Sequence, residues 1–151
     1  MRIAVLGAGS IGCLIAAKLV EAGHDVLVHA RGEHGAVLAL SGLNVSGVWD
    51  FQIQPNQWTV SLDEAGIHPS LEKSFDQSII TCKAKDTEKL AEIAAQITDG
   101  PVLSLQNGLG NHEILSRYVF ENSAVGVTTN AVKRISPGQI EWVGRGSIAV
   151  G

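Results

Sequence analysis

Three clusters in this chain have residue types and spacing that can do chemistry. The first is Gly7, Ala8, Gly9, Ser10, Ile11 and Gly12, a G-x-G-x-x-G run close to the start. Each glycine has a physical use: Gly7 to turn the chain sharply, Gly9 to leave no β-carbon in the way of an approaching anion, and Gly12 to let a helix lie close on a strand. The N–H groups at the start of such a helix, with the positive end of its dipole, suit the two negative charges of a pyrophosphate. A tight turn that binds nothing is the alternative, and the motif discriminates only if a strand precedes it and a helix follows. No Gly-Lys-Ser/Thr follows, which excludes a P-loop.

The second cluster is a single cation. Arg31 lies nineteen positions beyond Gly12, where dinucleotide-binding turns usually place the side chain that reads the adenosine ribose. An acid there would grip the ribose hydroxyls of NAD, whereas a planar guanidinium suits a 2′-phosphate and favours NADP(H). A solvated loop charge is the other reading of Arg31. The third cluster comprises Lys83, after the apolar run ending at Cys82, and Asn107 within Gln106, Asn107, Gly108, Leu109 and Gly110. Both follow expected strands at their carboxyl ends, where open α/β sheets bind ligands. Lys83 could meet a phosphate or carboxylate, or be a solvated strand-end charge. Asn107 would offer an amide donor and acceptor beside glycines that permit close approach of a flat ring.

The elements that must position these residues follow from periodicity. Arg2 to Leu6 is a short apolar run, and from Ile11 the spacing of Leu14, Ile15, Ala17 and Leu19 turns helical until Gly23. Val26 to His29 is a second strand, and Glu33 to Ser41 a weaker helix closed by Gly42, with Gly35 inside it. From Leu43 to Leu62 brief strand-like pieces hold Trp49, Phe51, Ile53, Trp58 and Val60. Residues 63–75 read as the least regular stretch. Gln77 to Cys82 is a buried-strand pattern, Asp86 caps a helix that ends before Gly100 and Pro101, Val102 to Leu105 is a strand, and Asn111 caps a short helix carrying Ile114, Leu115, Tyr118 and Val119. Ala124 to Gly151 alternates strand-like pieces with turns. Strands alternating with helices imply a doubly wound, Rossmann-type α/β domain: a mostly parallel sheet with helices on both faces and a mixed C-terminal edge.

Composition narrows the function classes. With 151 residues, one domain is expected, spanning 1–151. A net charge of -4 from scattered charges argues against nucleic acid or an anionic membrane surface. The uncharged run Ile3 to Ala17 is too short and too glycine-broken to span a bilayer. Two cysteines, Cys13 and Cys82, without metal-ligand spacing, suggest neither a disulfide framework nor a zinc site and fit a reducing cytoplasm. Neither is expected beside a base, so both read as core thiols. Most of the five histidines are expected at surface or turn positions. Trp49, Trp58 and Trp142 read as packing residues, although Phe51 and Trp58 could leave an apolar patch for a further domain to cover.

Taken in order and spacing, Gly7 to Gly12, Cys82-Lys-Ala84, Gln106 to Gly110 and Gly126-Val-Thr-Thr-Asn130 resemble the N-terminal domain of the ketopantoate reductases. The resemblance implies that Gly7, Gly9 and Gly12 bind the pyrophosphate and that Arg31 holds the 2′-phosphate of NADP(H). Lys83 would assist on the adenosine side or at the cleft, and Asn107 would contact the nicotinamide ribose and a 2-keto acid substrate. Catalytic residues, including a general-acid lysine, would belong to a helical C-terminal domain that this chain lacks. The expected activity of residues 1–151 alone is coenzyme binding without turnover, with possible association through the surface that domain would cover. Asn130 and Lys85 receive no role. Two alternatives stand: a nucleotide-sensing Rossmann module that catalyses nothing, and the coenzyme domain of an imine or hydroxyacid reductase.

Overall fold

In the computed structural model, which describes residues 1–81, 86–105, 113, 117 and 123–150, the apolar runs form the strands of a central sheet. β1 (Arg2–Leu6) is buried along all but its first residue. Its side chains alternate between two cores: Val5 faces one, Ala4 and Leu6 the other. A strand buried on both faces must be covered on both, the condition under which parallel sheets occur.

β1 pairs in parallel with β2 (Asp25–Ala30) on one side and β6 (Gln77–Ile80) on the other, so the strand order reverses direction at β1. The full order is β11-β8-β7-β6-β1-β2-β5, with β5 (Thr59–Leu62), β7 (Val102–Leu105), β8 (Ser123–Thr128) and β11 (Ile148–Val150). Only β11, at the edge, runs antiparallel. This is the doubly wound sheet expected from the alternation of elements, including its mixed C-terminal edge.

A second sheet was not foreseen. β3 (Leu43–Gly47), β4 (Phe51–Ile53), β9 (Ala131–Ser136) and β10 (Gln139–Gly144) form it in the order β4-β3-β10-β9, and the β3–β10 pairing is parallel. Periodicity marks such segments as strands but says nothing of partners so remote in sequence.

Helix α1 (Ser10–Glu21) lies between the two sheets. Its Cys13, Leu14, Ala16 and Ala17 share one core with Val5, Val26 and Val28 of the central sheet and Leu43, Val45, Ile140 and Trp142 of the second. Helix α2 (Gly32–Ser41) packs so closely that a β-carbon on Gly35 would meet Ala30 and Leu62 at 3.1–3.2 Å, which accounts for a glycine in a helix interior. On the opposite face α3 (Thr87–Ile97) buries Leu90, Ala91, Ala94 and Ile97 against Leu6, Ile80 and Phe75. The connection 63–76 carries only two short 3-10 turns, at Asp63–Ala65 and Pro69–Leu71.

Trp58 and Trp142 are buried, and Trp49 stacks on Phe51 with ring centroids 4.5 Å apart. The apolar patch expected around Phe51 and Trp58 is therefore absent; Val127, Ile148 and Val150 of β8 and β11 are exposed instead. No helix among the described residues is long and apolar enough to cross a membrane.

Candidate functional site

The glycine run falls between β1 and α1, at the carboxyl ends of the strands where the order reverses, the place at which open α/β sheets bind ligands. Three strands hold the turn there. Gly7, at φ 106°, donates its N–H to the His29 carbonyl of β2 (3.2 Å), and its own carbonyl accepts from the Thr81 hydroxyl just beyond β6 (2.7 Å). The Thr81 N–H in turn donates to the Leu6 carbonyl of β1 (3.0 Å).

Gly12 and Gly9 are glycines for opposite reasons. A β-carbon on Gly12 would collide with the Gly7 carbonyl oxygen and the Thr81 hydroxyl, so helix and strand approach as closely as they do only because it is missing. A β-carbon on Gly9 would meet nothing within 4 Å, because that position faces open space. The first bond of α1 runs from the Cys13 N–H to the Gly9 carbonyl (2.9 Å); no side chain caps the helix and no acid stands in its first turn. The amides of that turn are thus left for an external anion. The residues fit a bound pyrophosphate.

Ala8, between these glycines, is held by a histidine that sequence reasoning placed elsewhere. His34 Nδ1 accepts from the Gly138 N–H (3.0 Å), which fixes the proton on Nε2 and lets Nε2 donate to the Ala8 carbonyl (2.7 Å). One imidazole thereby links the glycine turn, α2 and the β9–β10 turn of the second sheet. The Cys13 thiol also reaches the Ala8 carbonyl (3.4 Å) and lies 3.5 Å from His34 Nε2. Cys13 therefore does have a histidine beside it, contrary to expectation. Burial nonetheless pushes its thiol up to about 12, so it is inert as a nucleophile. Burial also pulls the His34 imidazole below its ordinary value, so it stays neutral.

His29 departs from expectation too. It is buried, with Nδ1 on the Ser61 hydroxyl (3.0 Å) and Nε2 on Asp63 (3.2 Å). Asp63 also accepts from Lys89 of α3 (2.6 Å), and that bond is the main reason its carboxyl lies below the usual range. His24 is partly exposed and His68 exposed, so two of the four described histidines are core residues. No signal in the composition separates them; the clue is position, since His29 lies within a buried strand and His34 faces inward from α2.

Arg31 stands directly after β2 at the same sheet edge, its side chain 62% exposed. Its guanidinium lies 3.3 and 3.5 Å from the two carboxylate oxygens of Asp86. Asp86 occupies the N-cap position of α3 but makes no capping bond, because its carboxylate is drawn to Arg31 instead. The next amide, Gly32 N–H, donates to the exposed Glu64 carboxylate (2.5 Å), which holds that carboxyl below its usual range. Thr81, His34, Glu64 and Asp86 are the site-edge residues missed from sequence. Of these, Thr81 had a visible signal in the hydroxyl that directly follows the apolar pair Ile79 and Ile80.

Lys83, Lys85, Cys82, Asn107 with its loop 106–110, and the expected helix from Asn111 lie outside the described residues. Asn130 does not: its amide accepts from the Gly146 N–H (2.8 Å) and donates to the Thr128 hydroxyl (3.1 Å), on the wall of a cavity of about 400 Å³ beside Ile11 and Ile15. No cluster of His, Cys, Asp or Glu among the described residues could hold a metal ion.

The chain is similar to known proteins over nearly its whole length. The family model described as ketopantoate reductase PanE/ApbA matches residues 3–151. A 2-dehydropantoate 2-reductase of Archaeoglobus fulgidus is 35% identical over 150 residues, covering 99% of this chain and 47% of the relative. The crystal structure of a PanE/ApbA family ketopantoate reductase from Ralstonia eutropha superposes with a TM-score of 0.85 at 29% identity, over 99% of this chain and 49% of that one. A ternary structure of D-mandelate dehydrogenase with NADH and anilino(oxo)acetate gives 0.86 at 26% identity, over 99% and 48%. The chain spans about half the length of the curated relatives it matches.

Proposed function

Because the chain belongs to the ketopantoate reductase family, we propose that it is the NADPH-binding part of a reductase that passes hydride from the nicotinamide to the ketone of a small 2-keto acid, ketopantoate being the foremost candidate. The observation that carries this reading is the uncapped, open-faced amide turn at the reversal of the strand order, with a guanidinium at the end of the neighbouring strand.

The amides of Gly9 to Gly12 bind the pyrophosphate, and Gly9 admits it. Thr81 and His34 hold the Gly7 and Ala8 carbonyls turned away so that those amides point outward. Arg31 engages the 2′-phosphate. Lys83 assists on the adenosine side, and Asn107 contacts the nicotinamide ribose and the substrate. The bound coenzyme supplies the hydride, and the protein orients it. Residues 1–151 taken alone bind coenzyme without turnover.

Titration of NADPH and NADH into the wild type and Arg31→Ala tests the assignment. NADPH is expected to bind more tightly than NADH, with the preference lost in the variant; equal affinities in the wild type refute the role of Arg31. NADPH oxidation with ketopantoate at the rate of a full-length reductase refutes the absence of turnover. The NADH-bound D-mandelate dehydrogenase neighbour favours one second reading, the coenzyme domain of a 2-hydroxyacid enzyme. A full-length form reducing aromatic 2-keto acids in preference to ketopantoate would establish it.

A further inference from the structure

Arg31 and Gly32 both meet a carboxylate of the chain itself, one from each flanking element. Asp86 comes from the start of α3 and holds Arg31 through two long contacts of 3.3 and 3.5 Å. Glu64 comes from the 3-10 turn after β5 and holds the Gly32 N–H through one short contact of 2.5 Å. Gly32 sits at φ +66°, and a β-carbon built on it would meet nothing within 4 Å, so the space beside its Cα is open. Resting on the proposed coenzyme reading, this is where an adenosine ribose and its 2′ substituent would lie.

We propose that Glu64 is a specificity-determining residue of the dinucleotide site, an acid that reads the ribose from the turn after β5 rather than from the end of β2. The carboxylate takes the Gly32 amide and is also supported by Glu64's own backbone amide, and, being exposed, it has lone pairs left to accept a hydrogen bond from a ribose 2′-hydroxyl. That contact supports the coenzyme lacking the extra phosphate. The same carboxylate opposes the phosphorylated coenzyme twice: it occupies an amide at the start of α2 that a phosphate could use, and it repels the dianion. Arg31 pulls toward NADPH and Glu64 toward NADH, so the site discriminates less than an arginine alone would make it. Glu64 keeps its charge throughout the neutral range, since the Gly32 amide favours the ionised form.

Glu64→Gln separates these effects, because glutamine retains an oxygen for the Gly32 amide and loses only the charge. Dissociation constants for NADPH and NADH, measured on the full chain by calorimetry at fixed ionic strength, give the readout. The expected result is tighter NADPH, weaker NADH, and a ratio shifted by about tenfold or more toward NADPH. Glu72→Gln removes an exposed acid of the same connection without touching Arg31 or Gly32 and controls for net charge; it should leave the ratio unchanged. A ratio unmoved by Glu64→Gln, or moved equally by Glu72→Gln, overturns the proposal while leaving coenzyme binding intact. Binding of neither coenzyme to the wild type overturns the coenzyme reading and this proposal with it.

Discussion

Replacing His34 with alanine should cost far more stability than a helix-face histidine normally would. The substitution strands two buried backbone groups, the Gly138 N–H and the Ala8 carbonyl. An orphaned buried donor or acceptor costs about 1–3 kcal/mol. The Ala8 carbonyl retains the weak Cys13 thiol, so its share lies near the lower figure. With about 1 kcal/mol for the space left by the ring, the sum is about 3–5 kcal/mol, a large part of the 5–15 kcal/mol typical of a folded domain. Urea unfolding followed by tryptophan fluorescence measures it, and a loss below about 1 kcal/mol refutes the bridging role.

The same bridge makes a pH prediction whose sign is fixed. The folded imidazole titrates below the ordinary 6.5 because burial disfavours its charged form. As pH falls through 6.5 the unfolded chain therefore takes up the proton first. Stability is full above 6.5 and declines below it toward the folded value. Between about pH 7.5 and about 5.5 the urea midpoint of the wild type should fall, and His34→Gln, which cannot titrate, should lose that part of the slope. An identical slope in both proteins refutes the assignment.

Other substitutions read out separate parts of the site. Gly12→Ala should destabilise the fold by about 1–3 kcal/mol, because its β-carbon strikes a backbone carbonyl that cannot move aside. Gly9→Ala should cost at most about 1 kcal/mol in the same urea assay yet weaken NADPH about tenfold or more, since the added methyl projects only into open space. Thr81→Val removes the hydroxyl that fixes the Gly7 carbonyl, and should lower stability by about 1 kcal/mol while also weakening NADPH in calorimetry. The Asp63 carboxyl lies below its ordinary 3.8, chiefly through Lys89. Its contribution is thus present above 3.8 and lost as pH falls through the folded value; Asp63→Asn should flatten that acid limb in urea midpoints measured from about pH 5 downward.

What could be read from the sequence was what depends on neighbours in the chain. The strand, glycine turn and helix at residues 2–21 declare themselves through spacing alone, as do β2, α3 and β7. The doubly wound sheet follows once those units alternate. Partners distant in sequence left no such trace. Val45 and Ile140 each alternate like a strand residue, but nothing in either segment says that they pair. Asp86 has the local form of a helix cap, and only the approach of Arg31 across the sheet edge diverts it. His34 and Glu64 are ordinary helix and loop residues until folding sets an orphan amide or carbonyl against each of them.

The insertion of β10 between β3 and β9 has a consequence for how the chain matures during synthesis. Gly138, which supplies the amide that orients His34, leaves the ribosome long after Ala8, whose carbonyl that histidine anchors. The nascent chain can therefore stack its first strands early, but the turn at its beginning is locked only when the β9–β10 turn arrives. A product released short of that point would leave the edge of β3 that β10 otherwise pairs open, an unpaired strand for chaperones and proteases to recognise.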